Sequence, residues 1–308
     1  MSSSHAIHSA LAELDRAPAW LNSEPLTAEG LRGRVVLVDF WTYSCVNWLR
    51  TLPYVKAWDE RYRDRGLVVV GVHAPEFGFE HDLDNVRHAA RELGVGYPVV
   101  IDNDFAIWRS FENRYWPALY LVDRDGRVRF HHFGEGAYEE NERAIQQLLG
   151  VDEATVRVDA GGLAEAADWD TLGSPETYVG YARGERRSDP PADGLALNHW
   201  ALAGEWSVSE EAAALEAAAG SIAYRFQARD LNLVLAPPAS GPPVRFAVRL
   251  DGHPPGDAHG LDVDESGGGS VSEPRMYQLV RQRGGVAERA FEITFLEPGV
   301  SAYVFTFG

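Results

Sequence analysis

Cys45 is the single cysteine of the 308 residues, so no internal disulfide forms, and its surroundings in the sequence are those of a nucleophile. It closes the apolar run Val35–Trp41 and opens a segment beginning at Val46 that reads as a helix. A thiol at a helix start meets the first-turn amides and the positive end of the macrodipole, which favour the thiolate. The thiolate is the species that attacks disulfides and peroxides. Trp48, on the first turn, acts in the opposite sense where its ring lies across the sulfur, because an apolar cover raises a thiol pKa. Its plainer reading is a ring that fills a gap.

Other chemistry-bearing residues are fewer. Glu76, in His73-Ala-Pro-Glu-Phe77, follows a long apolar run and would sit at the carboxyl end of a parallel strand, where α/β proteins place active-site loops. It is a candidate proton donor or substrate contact, with a helix-capping carboxylate as the alternative. Arg50 and Arg114 are candidate partners for an anion near Cys45, or ordinary surface partners of acids. No metal site is expected from His5 and His8 or from His73, His81, His88, His131 and His132; the last two are adjacent on a strand and point to opposite faces. The acidic, glycine-rich stretch 251–269 offers Asp251, Asp257, Asp262 and Asp264 as calcium-type oxygen ligands, but without EF-hand spacing, so a solvated loop is expected. Trp200, Trp206 and Tyr277 are candidates for a glycan-stacking platform, or core rings. No cofactor is expected, and Lys56 is the only lysine available for Schiff-base chemistry.

These residues must be positioned by two differently patterned halves. Between Arg34 and Leu149, strand candidates at Val35–Trp41, Leu67–His73, Pro98–Ile101, Ala118–Asp123 and Val128–Phe133 alternate with helices expected at Val46–Asp64, Glu80–Leu93 and Glu139–Leu149. Asp125-Gly126 marks a hairpin turn. From 151 to 195 the chain turns to Gly, Ala, Asp and Pro, with its clearest break at Ser188–Pro191, and reads as a connector with local order. Beyond it, seven alternating runs (Gly204–Val208, Ser221–Ala228, Leu231–Leu235, Val244–Leu250, Arg275–Val280, Ala290–Phe295 and Val300–Phe307) predict an antiparallel, jelly-roll-like β-sandwich, with one short helix in Ser209–Gly220.

The formal charge of −18 repels nucleic acid and anionic lipid, and neither is expected as a partner. Met1–Ala10 lacks the basic and apolar regions of a secretory signal, and the longest apolar runs are strand-sized. A soluble, cytoplasmic protein is the expectation.

Several motifs carry a resemblance. Asp39-Phe-Trp41 ahead of Cys45, with Trp116-Pro117 before a later strand, looks like thioredoxin. WTYSCVNW, RTLPYV, GVHAPEF, YWPALYLVDRDGRVRFHHFGEG and SPETYVGYARGER are together similar to the C-terminal portion of the DipZ family, thioredoxin-like proteins related to TlpA-type redoxins. ALAGEWSV, RFQARDLNLVL, LDGHPPGDAHGLDVDESGGG and RMYQLVRQ fit that family's appended domain, which resembles a carbohydrate-binding module. The resemblance implies a thioredoxin fold over 20–150, a connector over 151–195 and the sandwich over 196–308. It also implies a nucleophilic Cys45, a cis-proline at Pro117 facing it, a proton-moving carboxylate at Asp39, and supporting roles for Trp41 and Trp116.

Where the family pattern has its second, resolving cysteine, this chain has Trp48. A resolving thiol attacks the mixed disulfide and releases product; an indole has no sulfur with which to do so. Three readings follow. In the first, Cys45 is a monothiol oxidoreductase centre acting on disulfides or oxidised thiols, resolved by an external low-molecular-weight thiol or a reductase, with Trp116 and Pro117 gripping the substrate backbone. In the second it is a one-cysteine peroxidase, for which Thr42 has the peroxiredoxin spacing while position 38 is valine instead of proline. In the third, the chain binds a partner or a glycan on an inherited scaffold.

Overall fold

Val35–Trp41 (β2) is buried at every residue, as a central strand flanked on both edges requires. It pairs in parallel with Leu67–His73 (β3) and antiparallel with Ala118–Val122 (β5). The computed structural model describes residues 11–189 and 194–308, so His5, His8, the Met1–Ala10 reading and part of the proline break lie outside the described residues.

The chain divides into two units at Ala164/Glu165, inside the expected connector. The first unit holds one sheet. With Trp20–Leu21 (β1), Val99–Ile101 (β4) and Val128–Phe133 (β6), the strand order is β1-β4-β3-β2-β5-β6. Helices Val46–Tyr62 (α1), Leu83–Glu92 (α2), Ala106–Ser110 (α3) and Tyr138–Leu149 (α4) follow in chain order. This is the thioredoxin-like arrangement: parallel β-α-β units closed by the hairpin β5-β6. The expected helix from Glu80 begins later, at Leu83, because Asp82 accepts the Asp84 amide at 2.8 Å and caps it there. Glu80 belongs instead to a 3-10 turn, Gly78–His81.

The second unit is two antiparallel sheets around one core. Its strands are Thr177–Tyr178 (β7), Trp200–Ala203 (β8), Trp206–Val208 (β9), Ala213–Leu215 (β10), Ser221–Gln227 (β11), Asp230–Ala236 (β12), Val244–Leu250 (β13), Gly268–Val271 (β14), Arg275–Arg281 (β15), Glu288–Phe295 (β16) and Ser301–Phe307 (β17). One sheet runs β15-β12-β17-β10-β9, with β7 also on β17; the other runs β14-β13-β16-β11-β8. The helix expected in Ser209–Gly220 is a strand, β10, paired with β9 and β17. Alanine's helix preference is worth only tenths of a kcal/mol per residue and yields to burial of Ala213 and Leu215 in the core.

Candidate functional site

Cys45 is the N-cap of α1 and is half-buried, where the central strand turns into the helix. Its sulfur lies 3.9 Å from the carbonyl oxygen of Trp116, and the Trp116-Pro117 bond is cis. The Trp116 indole donates to the Ala74 carbonyl at 3.0 Å, and the Gly134 amide donates to the Pro117 carbonyl at 2.8 Å. The proline loop is therefore held by the residues that directly follow β3 and β6.

Asp39 is wholly buried on β2. Its Oδ2 accepts the Trp48 indole N–H at 3.1 Å and the Tyr97 hydroxyl at 3.2 Å, while Oδ1 has no hydrogen-bond partner among the described residues. Burial pushes the carboxyl up to about 7, against the two hydrogen bonds, which favour its ionised form. Tyr97 is itself buried, and it borders a cleft of about 410 Å³ lined also by Lys56, Asp59 and Arg63.

Trp48 is fully buried. Its ring stacks on Trp41 with centroids 4.2 Å apart and planes 20° from parallel. The ring is therefore not on an exposed face, and its indole N–H is turned inward to Asp39. Gly71, opposite Asp39 in the parallel register, makes room for this layer. A Cβ there would lie 2.9 Å from both Trp41 Nε1 and Tyr97 Cε2. His73, opposite Trp41, is buried with its ring against Trp41 and Tyr43, and burial pushes it down to about 3, so it stays neutral.

Thr42 and Ser44 are buried in the turn before the nucleophile. Arg50 is not available to an anion, because it is buried in an ion pair with Glu135 at 2.9 Å. Arg114 is exposed. Glu76, the acid singled out in sequence, contributes its backbone: its amide donates at 2.6 Å to Glu80 Oε2. Glu80 is the carboxylate that sequence reasoning missed. It is wholly buried, accepts the Ser44 hydroxyl at 2.6 Å, and is pushed by burial up to about 7.

Residues 17–149 match the Redoxin family, and residues 174–308 match a family described as thioredoxin like C-terminal domain. Protein DipZ of Mycobacterium tuberculosis is 35% identical over 268 residues, covering 77% of this chain and 38% of DipZ. The chain thus spans well under half the length of that relative. Thiol-disulfide oxidoreductase YkuV of Bacillus subtilis is 33% identical over 142 residues, 46% of this chain and 95% of YkuV. The chain belongs to the thioredoxin-like redoxin family of thiol-disulfide oxidoreductases. A solved structure described as a thioredoxin-like protein in the oxidized form is 32% identical, covering 44% of this chain and 91% of its own, with a TM-score of 0.41.

Within this redoxin unit, half-buried Cys45 and Trp116 meet beside buried Pro117, and Asp39, Trp41 and Trp48 form a second, wholly buried group. The candidate residues of the second unit are not brought together in this way. Trp200 and Tyr277 are inside the sandwich core, and Trp206 turns edge-on to Phe295 with centroids 6.0 Å apart, so the three rings do not form a stacking platform. Three of the four candidate carboxylates of the acidic stretch are engaged, Asp262 by Arg275 and the Gln278 amide, Asp264 by Ser266 and the Gly268 amide, and Asp251 by Arg289 and the Ala290 amide, while Asp257 is exposed in a 3-10 turn. Part of the stretch is strand β14, where a Cβ on Gly269 would meet the Phe246 ring at 2.3 Å.

Proposed function

We propose that the protein is a monothiol oxidoreductase centred on Cys45. The carrying observation is that Trp48 is built into the interior, stacked on Trp41 and bonded to Asp39, so the only sulfur at the site is Cys45. The Cys45 thiolate attacks one sulfur of a substrate disulfide, forming a mixed disulfide and expelling the other sulfur as a thiolate, which takes a proton from solvent. A thiolate from an external low-molecular-weight thiol or a reductase then attacks the substrate-side sulfur, restoring Cys45. A cytoplasmic thiol pool suits this cycle. The α1 N-terminus favours the thiolate, and the carbonyl edge of Trp116 beside cis-Pro117 gives an extended substrate a backbone to lie against.

Asp39 has a changed task on this reading. With no second thiol to deprotonate, it anchors the Trp48 indole. Reduction of a small disulfide by glutathione tests the proposal: turnover should be lost in Cys45→Ser. Unchanged turnover in that variant would remove Cys45 from the chemistry and leave a partner-binding role on this scaffold.

A further inference from the structure

Glu80 is an expensive residue to bury. A carboxylate taken out of water needs donors on both oxygens, and an apolar side chain of similar size would hold two loops together at lower cost. Glu80 has those donors, and they come from two places. Oε2 accepts the amides of Glu76 and Phe77, at 2.6 and 3.0 Å, in the loop that leaves β3. Oε1 accepts the hydroxyl of Ser44, at 2.6 Å, in the turn that leaves β2. Ser44 is itself buried and is the residue before the nucleophile. The same turn carries the Cys45 amide on the Thr42 carbonyl, a longer contact of 3.3 Å, and the Thr42 hydroxyl also supports the Glu80 carboxylate.

We propose that Glu80 is a positioning residue for Cys45: through Ser44 it fixes the turn that sets the sulfur over the first turn of α1 and beside the Trp116 carbonyl. The inference rests on Cys45 being the nucleophile, but the property it predicts belongs to the thiol and is measured without substrate. If the turn is loosened, the sulfur samples positions away from the helix amides, and the thiolate loses their support. Removing a negative charge alone would do the opposite and make the thiolate easier to form. The two effects therefore move the titration in opposite directions.

The test is the pH dependence of Cys45 alkylation by iodoacetamide, followed by intact mass on the full chain. Ser44→Ala should raise the half-reaction pH by about half a unit to one unit, which slows alkylation near neutral pH roughly threefold to tenfold. Glu80→Gln should show no rise, because the amide oxygen can take the two backbone donors while its NH2 donates to Ser44 Oγ. Glu80→Leu should also raise it, by less than Ser44→Ala because the lost charge offsets part of the rise, and the double variant Ser44→Ala/Glu80→Gln should be no more affected than Ser44→Ala alone. An unmoved profile in Ser44→Ala would overturn the proposal. So would a fall in Glu80→Gln with no rise in Ser44→Ala, since the carboxylate would then be acting as a charge. If Glu80→Leu does not fold, the other variants still decide. A wild-type thiol that alkylates normally but exchanges with no disulfide would count against the oxidoreductase reading and leave this result intact.

Discussion

The indole of Trp48 donates to Asp39 Oδ2 at 3.1 Å while its ring lies on Trp41, 4.2 Å between centroids. One side chain thus satisfies a buried carboxylate and fills the space above the central strand. The missing thiol is a repacked site, and the repacking has measurable consequences.

Trp48→Phe keeps an aromatic ring on Trp41 and removes the donor. Asp39 is left with Tyr97, its ionised form loses support, and its pKa rises further above about 7. A hydrogen bond to a charged group contributes about 1.5–3 kcal/mol, so the variant should lose about 2 kcal/mol at pH 8.5 and less at pH 5.5. Urea unfolding at the two pH values measures this; equal losses would mean that Asp39 does not ionise in the folded protein.

Asp39→Asn should stabilise the protein in alkali. The folded chain holds the Asp39 proton up to about 7 and the unfolded chain releases it near 3.8, so between these values the folded state binds more protons. That contribution is complete below about pH 4, falls as pH rises, and is gone above about 7. Glu80, pushed from 4.5 up to about 7, has the same sign. His73, pushed from 6.5 down to about 3, has the opposite sign: its contribution is gained as pH climbs between those values. Subtracting the wild-type curve isolates Asp39, and the variant's advantage should grow from pH 5 to pH 8.5 by a few kcal/mol, at about 1.4 kcal/mol per pKa unit. Parallel curves would contradict this assignment.

Gly71→Ala should cost about 1–3 kcal/mol, the usual range for overpacking, because the added methyl meets Trp41 and Tyr97 at 2.9 Å. Thermal unfolding and near-ultraviolet circular dichroism would report the stability loss and the disturbed indole stack. A neutral variant would show that the layer can shift.

Trp48→Cys restores a second thiol at the expense of the stack. It should weaken the fold by about 3–5 kcal/mol, as large core truncations do, and shorten the lifetime of the Cys45 mixed disulfide. Quenched mass spectrometry follows that lifetime; an unchanged one would mean that position 48 cannot reach the sulfur.

Cys45 and β2 were legible in the sequence because each has a local signature, a helix start and a strongly apolar run interrupted only by Asp39, whereas the cis-proline came from the family resemblance. Glu80 was not legible. Its role depends on Ser44, 36 positions away, and on a 3-10 turn that ends before α2 begins, whereas its own sequence context reads as helix. Glu76 was a candidate because it follows β3 at the carboxyl end of a parallel strand; its amide donates to Glu80. Trp48 was legible as a departure from CxxC but not as Asp39's partner, since nothing local says which way an indole turns. In the sandwich, two of the rings that looked like a platform, Trp200 and Tyr277, are buried in the core and Trp206 packs against its margin, and the alanines of β10 follow their partners instead of their helix preference.

The central claim is that Cys45 exchanges as a lone thiol, and intact mass after incubation with glutathione disulfide tests it most directly. The account predicts one glutathionyl group on Cys45, stable until an external thiol is added, and none on Cys45→Ser. A native protein that stays unmodified, while the urea-unfolded chain is modified under the same conditions, would contradict it.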